Sequence, residues 1–247
     1  MKGYRRFGES LVDVIFPKQC AGCDRRGSWL CETCRATVQP ILGQGCNRCG
    51  VPRVGGSCAC GDLHPAIERA ISPYPYAGWV ATAIRRLKYE NERARADHLG
   101  QKLVEAVRAF GPGPVDGLIP VPLHPRKQRE RGYNQSKLLA RSVSEALDIP
   151  VTPMIQRTRH TTAQMTLGAD ERRQNVAHAF ACIGETPPRP DARYVLIDDV
   201  RTTGSTLGAC AEALVAAGIE RVLVVTLAVD LQADRLEALR RTGLIRA

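Results

Sequence analysis

Leu99, Leu103, Val107 and Phe110 recur at intervals of three and four residues. That spacing lines one side of a helix with apolar groups, so residues 93–110 are predicted helical. The same period marks residues 78–88 and, through Leu138, Leu139 and Val143, residues 134–147. Short apolar runs at 117–121, 194–197 and 221–228 are strand-sized, and a helical stretch at 205–217 separates the last two. Strand, helix, strand in succession is a βαβ unit, which implies a parallel sheet wound by helices. Residues 231–241 read as a closing helix that serves packing and solvation.

Residues 1–65 sustain neither period and hold eight of the ten cysteines. The texture changes near His64 and Pro65, which predicts a small region, 1–65, followed by an α/β domain, 66–247. At 247 residues and 44% apolar, the chain can bury a full core, which excludes disordered and collagen-like classes. No apolar run approaches the roughly 18 residues of a membrane span. The stretch from Leu11 to Phe16 is broken by Asp13 and too short for a signal peptide. A soluble, cytoplasmic protein is expected.

The cysteines fall in close pairs: Cys20 with Cys23, Cys31 with Cys34, Cys46 with Cys49, and Cys58 with Cys60. Two intervening residues let one knuckle aim both sulfurs at a tetrahedral ion, and Gly22 and Gly50 suit the turns required. A region with few large apolar residues has little core of its own. A structural zinc ion contributes on the order of 10–16 kcal/mol in finger peptides, so metal is expected to hold this region together. Four thiolates leave no open position for catalysis. Disulfides and an iron–sulfur cluster are the alternatives; a reducing compartment disfavours the first, and four close pairs suit two zinc sites. Sequential pairing joins Cys20, Cys23, Cys31 and Cys34 on one ion and Cys46, Cys49, Cys58 and Cys60 on the other; interleaved pairing stays open. Cys182 and Cys210 read as ordinary buried small residues. With eight thiolates on two divalent ions, the formal charge of +10 falls to +6, which weakens any case for nucleic acid from charge alone.

The run from Val195 to Ile197 leads into Asp198 and Asp199, then Val200, Arg201 and the turn Thr202-Thr203-Gly204-Ser205-Thr206, which opens a helix. Ligands of open α/β sheets bind at the carboxyl ends of strands. Such a turn offers backbone N–H groups, hydroxyls and a helix N-terminus to a phosphate monoester, with Gly204 allowing close approach. The two carboxylates repel phosphate and suit sugar hydroxyls or a proton-accepting role. The plainer alternative is a strand end and a capped helix, but one cap residue suffices where five small or hydroxylic residues stand in a row. The common Gly-rich nucleotide motifs do not fit.

Upstream, Pro122 and Leu123 follow a predicted strand, and from Arg126 to Arg141 there are six basic residues and one acid. Mobile guanidinium groups after a strand-end turn, with Gly132 as a hinge, suit phosphate oxygens on which charge develops. A solvated charge run or a nonspecific nucleic-acid patch is the alternative. A third segment, with Arg157, Thr162, Gln164, Leu167, Arg172, Asn175 and Phe180, has polar residues off any helical period, as if placed for contacts.

The acidic pair and its turn resemble the phosphoribosyl pyrophosphate motif of type I phosphoribosyltransferases. Together with the cysteine pairs, Leu87-Lys88-Tyr89, Arg131-Gly132-Tyr133-Asn134-Gln135 and the third segment, nearly the whole chain resembles the ComF family of competence-related proteins. The resemblance implies a type I phosphoribosyltransferase-like parallel sheet flanked by helices, with a small N-terminal double zinc ribbon. It also implies two structural zinc ions, and phosphoribosyl pyrophosphate bound with magnesium, carried mostly on the pyrophosphate oxygens. Asp198 and Asp199 then hold the ribose and stabilise positive charge as the C1 bond loosens. Arg201, Thr202, Thr203, Gly204, Ser205 and Thr206 hold the 5-phosphate. Lys88, Pro122, Leu123, Arg126, Arg129 and Arg131 face the pyrophosphate. Arg201 departs from the apolar residue common there in related transferases. The family is associated with uptake of single-stranded DNA, and the acceptor of any ribosyl transfer is unspecified. The rival expectation is a non-catalytic module that holds single-stranded DNA or a helicase through the zinc ribbons and basic loop. With 5% aromatic residues, base stacking would fall to Tyr133, Trp29 and Trp79.

Overall fold

The computed structural model describes residues 17–42, 45–53, 56, 58, 60, 63–110, 113–158, 179–183, 191–219 and 221–246. Its centre is a parallel sheet in the order β1 (Ile67–Ile71), β7 (Val222–Val229), β6 (Tyr194–Arg201) and β3 (Gly117–Pro120), with β2 (Tyr74–Pro75) pairing further along β7. All eight residues of β7 are buried, as expected of a central strand covered on both faces.

Alternate residues supply the two cores. On one face Val195, Ile197, Leu223 and Val225 meet Ile84 and Leu87 of α2 (Gly78–Tyr89), Leu99 and Leu103 of α3 (Arg95–Phe110), and Leu139 and Val143 of α5 (Gln135–Leu147). On the other, Leu196, Val222 and Val224 meet Leu207 and Leu214 of α6 (Ser205–Ala216) and Leu239 of α7 (Ala233–Arg241). A short antiparallel pair, β4 (Ile155–Arg157) and β5 (Phe180–Cys182), lies beside α6. No helix among the described residues is long and apolar enough to cross a membrane.

Three expectations are corrected. First, the strand predicted at 194–197 continues to Arg201, so both aspartates lie within it. β7 extends alongside and pairs Asp198 with Thr226, Val200 with Ala228 and Arg201 with Val229. Second, the basic segment is a helix, α4 (Pro125–Arg131), and not a mobile loop. Pro125 opens it, the His124 ring nitrogen accepts from the Arg126 N–H at 3.1 Å, and Gly132 at φ 76° closes it. Third, metal is not the only thing that holds the cysteine region, which also contains the short helix α1 (Glu32–Arg35). Its few apolar residues are spent on the sheet: Ile41, Val51 and Leu63 join the second core and Val38 the first. Thr162, Gln164, Leu167, Arg172 and Asn175 lie outside the described residues.

Candidate functional site

Asp198 and Asp199 stand near the carboxyl end of β6, where α2 and α5 reach the sheet edge. Ser136, at the start of α5, donates its hydroxyl to Asp198 Oδ1 at 2.7 Å, and the Asp199 N–H donates to the same oxygen at 2.9 Å. Lys88, near the end of α2, pairs with Asp199 Oδ1 at 2.6 Å. The second oxygen of Asp199 is buried and, among the described residues, accepts no hydrogen bond; the residue is 2% exposed. Leaving a buried acceptor unsatisfied is costly, so a hydroxyl that reached this oxygen would meet an acceptor in need of a donor.

Burial, and then the neighbouring Asp199 carboxylate, push Asp198 up to about 7 against the pull of Lys88 and Ser136. Burial draws the Lys88 ammonium down, but Asp199 and Asp198 outweigh it and hold lysine above its ordinary value. Because Asp198 binds its proton more tightly when folded than at the ordinary 3.8, its contribution to stability is complete below that value. The contribution is lost as pH rises through about 7. Asp198→Asn keeps an acceptor for Ser136 and removes this titration. Its melting temperature relative to the parent is therefore expected to climb between pH 5 and pH 8, by an amount corresponding to on the order of 3 kcal/mol. A difference that stays flat in thermal melts across that range would contradict the assignment.

Directly after β6, Gly204 at φ 74° caps α6. Only glycine adopts this conformation without strain. Gly204, at the cap position, offers no side-chain acceptor, and the Thr203 hydroxyl accepts from the Ser205 N–H only at 3.5 Å, so the partial positive charge of the helix start faces the turn. The Thr203 and Ser205 hydroxyls lie 2.8 Å apart. Thr202 is exposed, and Thr203, Ser205 and Thr206 are half-buried, so the turn is open. Arg201 does not join it through its side chain. The guanidinium is buried and donates to the carbonyl of Cys49 at 2.7 Å.

A cavity of about 440 Å³ adjoins the acidic pair through Lys88 and is also lined by Tyr89, Asn91, Arg93, Lys127, Glu130, Arg131 and Tyr133. Arg131 lies over the Tyr89 ring at 5.2 Å and donates to Gln135. Burial, then the charges of Arg157, Arg131 and Lys88, lower the Lys127 ammonium, as expected where cations outnumber acids. Of the residues expected to face pyrophosphate, Lys88 and Arg131 line this cavity. Arg126 is exposed and paired with Glu130 at 2.8 Å, Arg129 is exposed, and Pro122 and Leu123 are half-buried before α4. Arg93, Lys127 and Ser136 were missed. A helical reading of 125–131 sets Lys127 and Arg131 on one face four residues apart, which is the signal that was available for Lys127.

The aromatic rings expected to stack bases are engaged within the fold. Trp79 is buried against Tyr74, Trp29 lies under Arg95, and Tyr133 is buried, donates to the Leu87 carbonyl and carries Arg93 over its ring. Tyr89 is the exposed ring beside the cavity, at 73%.

The cysteines form two clusters, Cys20, Cys23, Cys31 and Cys34, then Cys46, Cys49, Cys58 and Cys60, with the sulfurs of each within 4.8 Å of one another. Sequential pairing therefore holds. Sulfur separations of 3.6 and 3.8 Å in the first and 3.4 Å in the second approach the roughly 3.8 Å edge of a tetrahedron with zinc–sulfur bonds of about 2.3 Å. They are far longer than the ~2.05 Å of a disulfide. In the first knuckle a Cβ on Gly22 would lie 2.6 Å from the Cys34 sulfur, so glycine is required for close approach. Burial raises the Cys20 thiol, but N–H groups of Cys31, Gly22 and Cys23 outweigh it and bring it to about 6. The N–H groups of Cys49 and Arg48 bring Cys46 to about 6. Such donor sets fit one zinc ion each. Cys182 and Cys210 belong to neither cluster.

Fold and site thus define a class: a parallel α/β sheet with a strand-end acidic pair and an open helix N-terminus, carrying two four-cysteine centres. Residues 11–64 match the family described as Double zinc ribbon domain. Competence protein F of Haemophilus influenzae is 32% identical over 203 residues, covering 79% of this chain and 88% of that protein. DNA utilization protein YhgH of Escherichia coli K12 is 32% identical over 209 residues, covering 80% and 89%. The chain belongs to the competence protein F family. Adenine phosphoribosyltransferase of Leishmania donovani aligns at 16% identity and a TM-score of 0.38, over 74% of this chain and 72% of that one, a likeness too distant to bear on the site.

Proposed function

We propose that the chain binds phosphoribosyl pyrophosphate with magnesium at the end of β6 and transfers the ribosyl group to an acceptor, in a cytoplasmic role linked to handling of single-stranded DNA. The carrying observation is the buried Asp199 Oδ2, with no donor among the described residues, beside Asp198 and next to a helix N-terminus whose cap residue is a glycine. Ribose hydroxyls supply donors to the carboxylates, and the 5-phosphate takes the N–H groups and hydroxyls of residues 202–206. Lys88, Arg93, Lys127 and Arg131 surround the pyrophosphate. Magnesium bound with the substrate would supply charge neutralisation at the pyrophosphate, beside the cations of Lys88, Lys127 and Arg131. In the transfer, the bond from C1 to pyrophosphate breaks, its electron pair leaves with pyrophosphate, and the acceptor's lone pair forms the new bond to C1. The carboxylates stabilise the positive charge at C1, and Asp198, near 7, is suited to receive a proton from the acceptor. In this reading, residues 66–247 carry the site and residues 1–65 the zinc module. The names of the relatives, competence and DNA utilization, support the DNA link.

Calorimetric titration of the zinc-loaded protein with phosphoribosyl pyrophosphate and magnesium tests the reading. Saturable binding is expected, weakened at least tenfold by Asp198→Asn/Asp199→Asn. Absence of binding to the parent, or equal binding by the variant, overturns it. A second reading puts single-stranded DNA in the cation-lined cavity, favoured by exposed Tyr89. An oligonucleotide that displaces nothing in the same titration and fails to bind alone excludes it.

A further inference from the structure

Arg201 joins the two halves of the molecule at a point that neither a zinc site nor a phosphate turn requires. It is the last residue of β6, and the 202–206 turn begins at the next residue. Its backbone is held in the ladder opposite Val229, and its carbonyl accepts from the Asp230 N–H at 2.8 Å. Its side chain is 3% exposed and reaches the carbonyl of Cys49, which is itself fully buried.

That carbonyl belongs to the knuckle of the second cysteine cluster. The Gly50 N–H closes the knuckle onto the Cys46 carbonyl at 2.8 Å, and Gly50 adopts φ 69°. A Cβ at Gly50 would meet the Ala70 carbonyl of β1 at 2.8 Å, and the Ala70 N–H donates to Arg48 at 2.8 Å. The knuckle is therefore clamped between β1 and the Arg201 guanidinium. Metal at the cluster fixes the Cys49 backbone, and hence the acceptor that holds Arg201 and the strand end from which the turn departs. Without metal, four thiols lose their common tether and the Cys49 carbonyl is held only by the contacts of the knuckle with β1, the second core and Arg201.

We propose that Arg201 is a positioning residue that couples metal occupancy of the Cys46, Cys49, Cys58 and Cys60 cluster to the conformation of the 202–206 turn. Coupling between sites is reciprocal: loss of metal loosens the turn and weakens its ligand, and bound ligand raises the equilibrium affinity for metal by the same factor. The ligand half rests on the reading under Proposed function; the coupling of metal to turn does not. Couplings of this kind change affinity by roughly 5- to 100-fold.

Arg235 supplies the control. It is also buried and donates to the same module, at the Pro52 carbonyl, 3.0 Å away, but from α7 and not from the strand that carries the turn. The experiment uses the full chain with two zinc ions and compares the parent with Arg201→Met, which removes the donors, Arg201→Lys, which restores one, and Arg235→Met. Amide hydrogen exchange of residues 202–206 is followed before and after zinc is drawn off with a chelator, and affinity for phosphoribosyl pyrophosphate with magnesium is measured on the zinc-loaded forms.

In the parent, exchange at 202–206 is expected to rise severalfold when zinc leaves. In Arg201→Met it is already raised with both ions bound and changes little on chelation, and ligand affinity falls at least fivefold. Arg201→Lys recovers part of both, and Arg235→Met behaves as the parent. Unchanged exchange at 202–206 in the parent on zinc loss overturns the proposal without recourse to any variant. So does an equal effect of Arg235→Met, which marks general destabilisation. If the exchange results hold and the parent binds no phosphoribosyl pyrophosphate, the functional reading fails and the coupling stands.

Discussion

Serine in place of Cys49 is expected to cut the zinc content from two ions per chain to one and to lower the melting temperature by about 10–20 °C. Cys49 is fully buried and sits in the same core as Ile119, Leu196 and Val224, so its loss disturbs the sheet as well as the metal. The apparent binding energy of a structural zinc ion, roughly 10–16 kcal/mol, matches or exceeds the ~5–15 kcal/mol by which a whole domain is stable. Even a third of the upper value, about 5 kcal/mol, shifts the melting point of a chain this size by some 10–20 °C. Cys23 is exposed and belongs to the first cluster, so Cys23→Ser is expected to release one ion with a smaller shift. Metal content by mass spectrometry and thermal melts of the two variants provide the check. Two ions retained in Cys49→Ser, or equal shifts in both, would show that the second cluster is not integrated with the sheet as described.

Asp199→Asn is expected to cost about 3 kcal/mol at neutral pH. The substitution leaves the Lys88 ammonium, 21% exposed, without the carboxylate 2.6 Å away. Removal of one member of a buried pair typically costs 3–5 kcal/mol, and the partial access of Lys88 to water and its attraction to Asp198 put the value at the low end. Most of the penalty belongs to the stranded charge. Adding Lys88→Met is therefore expected to restore much of the loss, which a double-mutant cycle in urea measures directly. Additive losses in that cycle would mean the two side chains do not act as a pair. The same pair explains why α2 ends at the site: its apolar stripe of Ile84 and Leu87 packs on the sheet, and Lys88, the next residue, meets the strand end.

Much of the site was legible because its chemistry is local. The cysteine spacing names the ligands, and the run from Asp198 to Thr206 carries acids, glycine and hydroxyls in the order in which a strand end, a turn and a helix start present them. What was not legible depends on distant segments. Nothing beside Arg201 in sequence foretells that its guanidinium donates to the carbonyl of Cys49, 152 residues away. Reading residues 126–131 as a loop lost the helical face shared by Lys127 and Arg131, and Arg93 gained its place only because the segment between α2 and α3 folds back over Tyr133. The short edge strand β1 mixes Glu68 and Arg69 with Ile67 and Ile71, so its pattern falls below what alternation alone can identify.

The amino-acid order by itself determined the eight paired cysteines, the parallel βαβ unit and a hydroxyl-rich turn that opens a helix, since each follows from residues within a few positions of one another. Tertiary structure decided which cysteines share an ion, that Lys88 neutralises Asp199, that Asp198 is raised, and that Arg201 faces the metal module. Those outcomes depend on which segments the two cores bring into contact, and burial, not sequence distance, sets the strength of charges and hydrogen bonds once they meet.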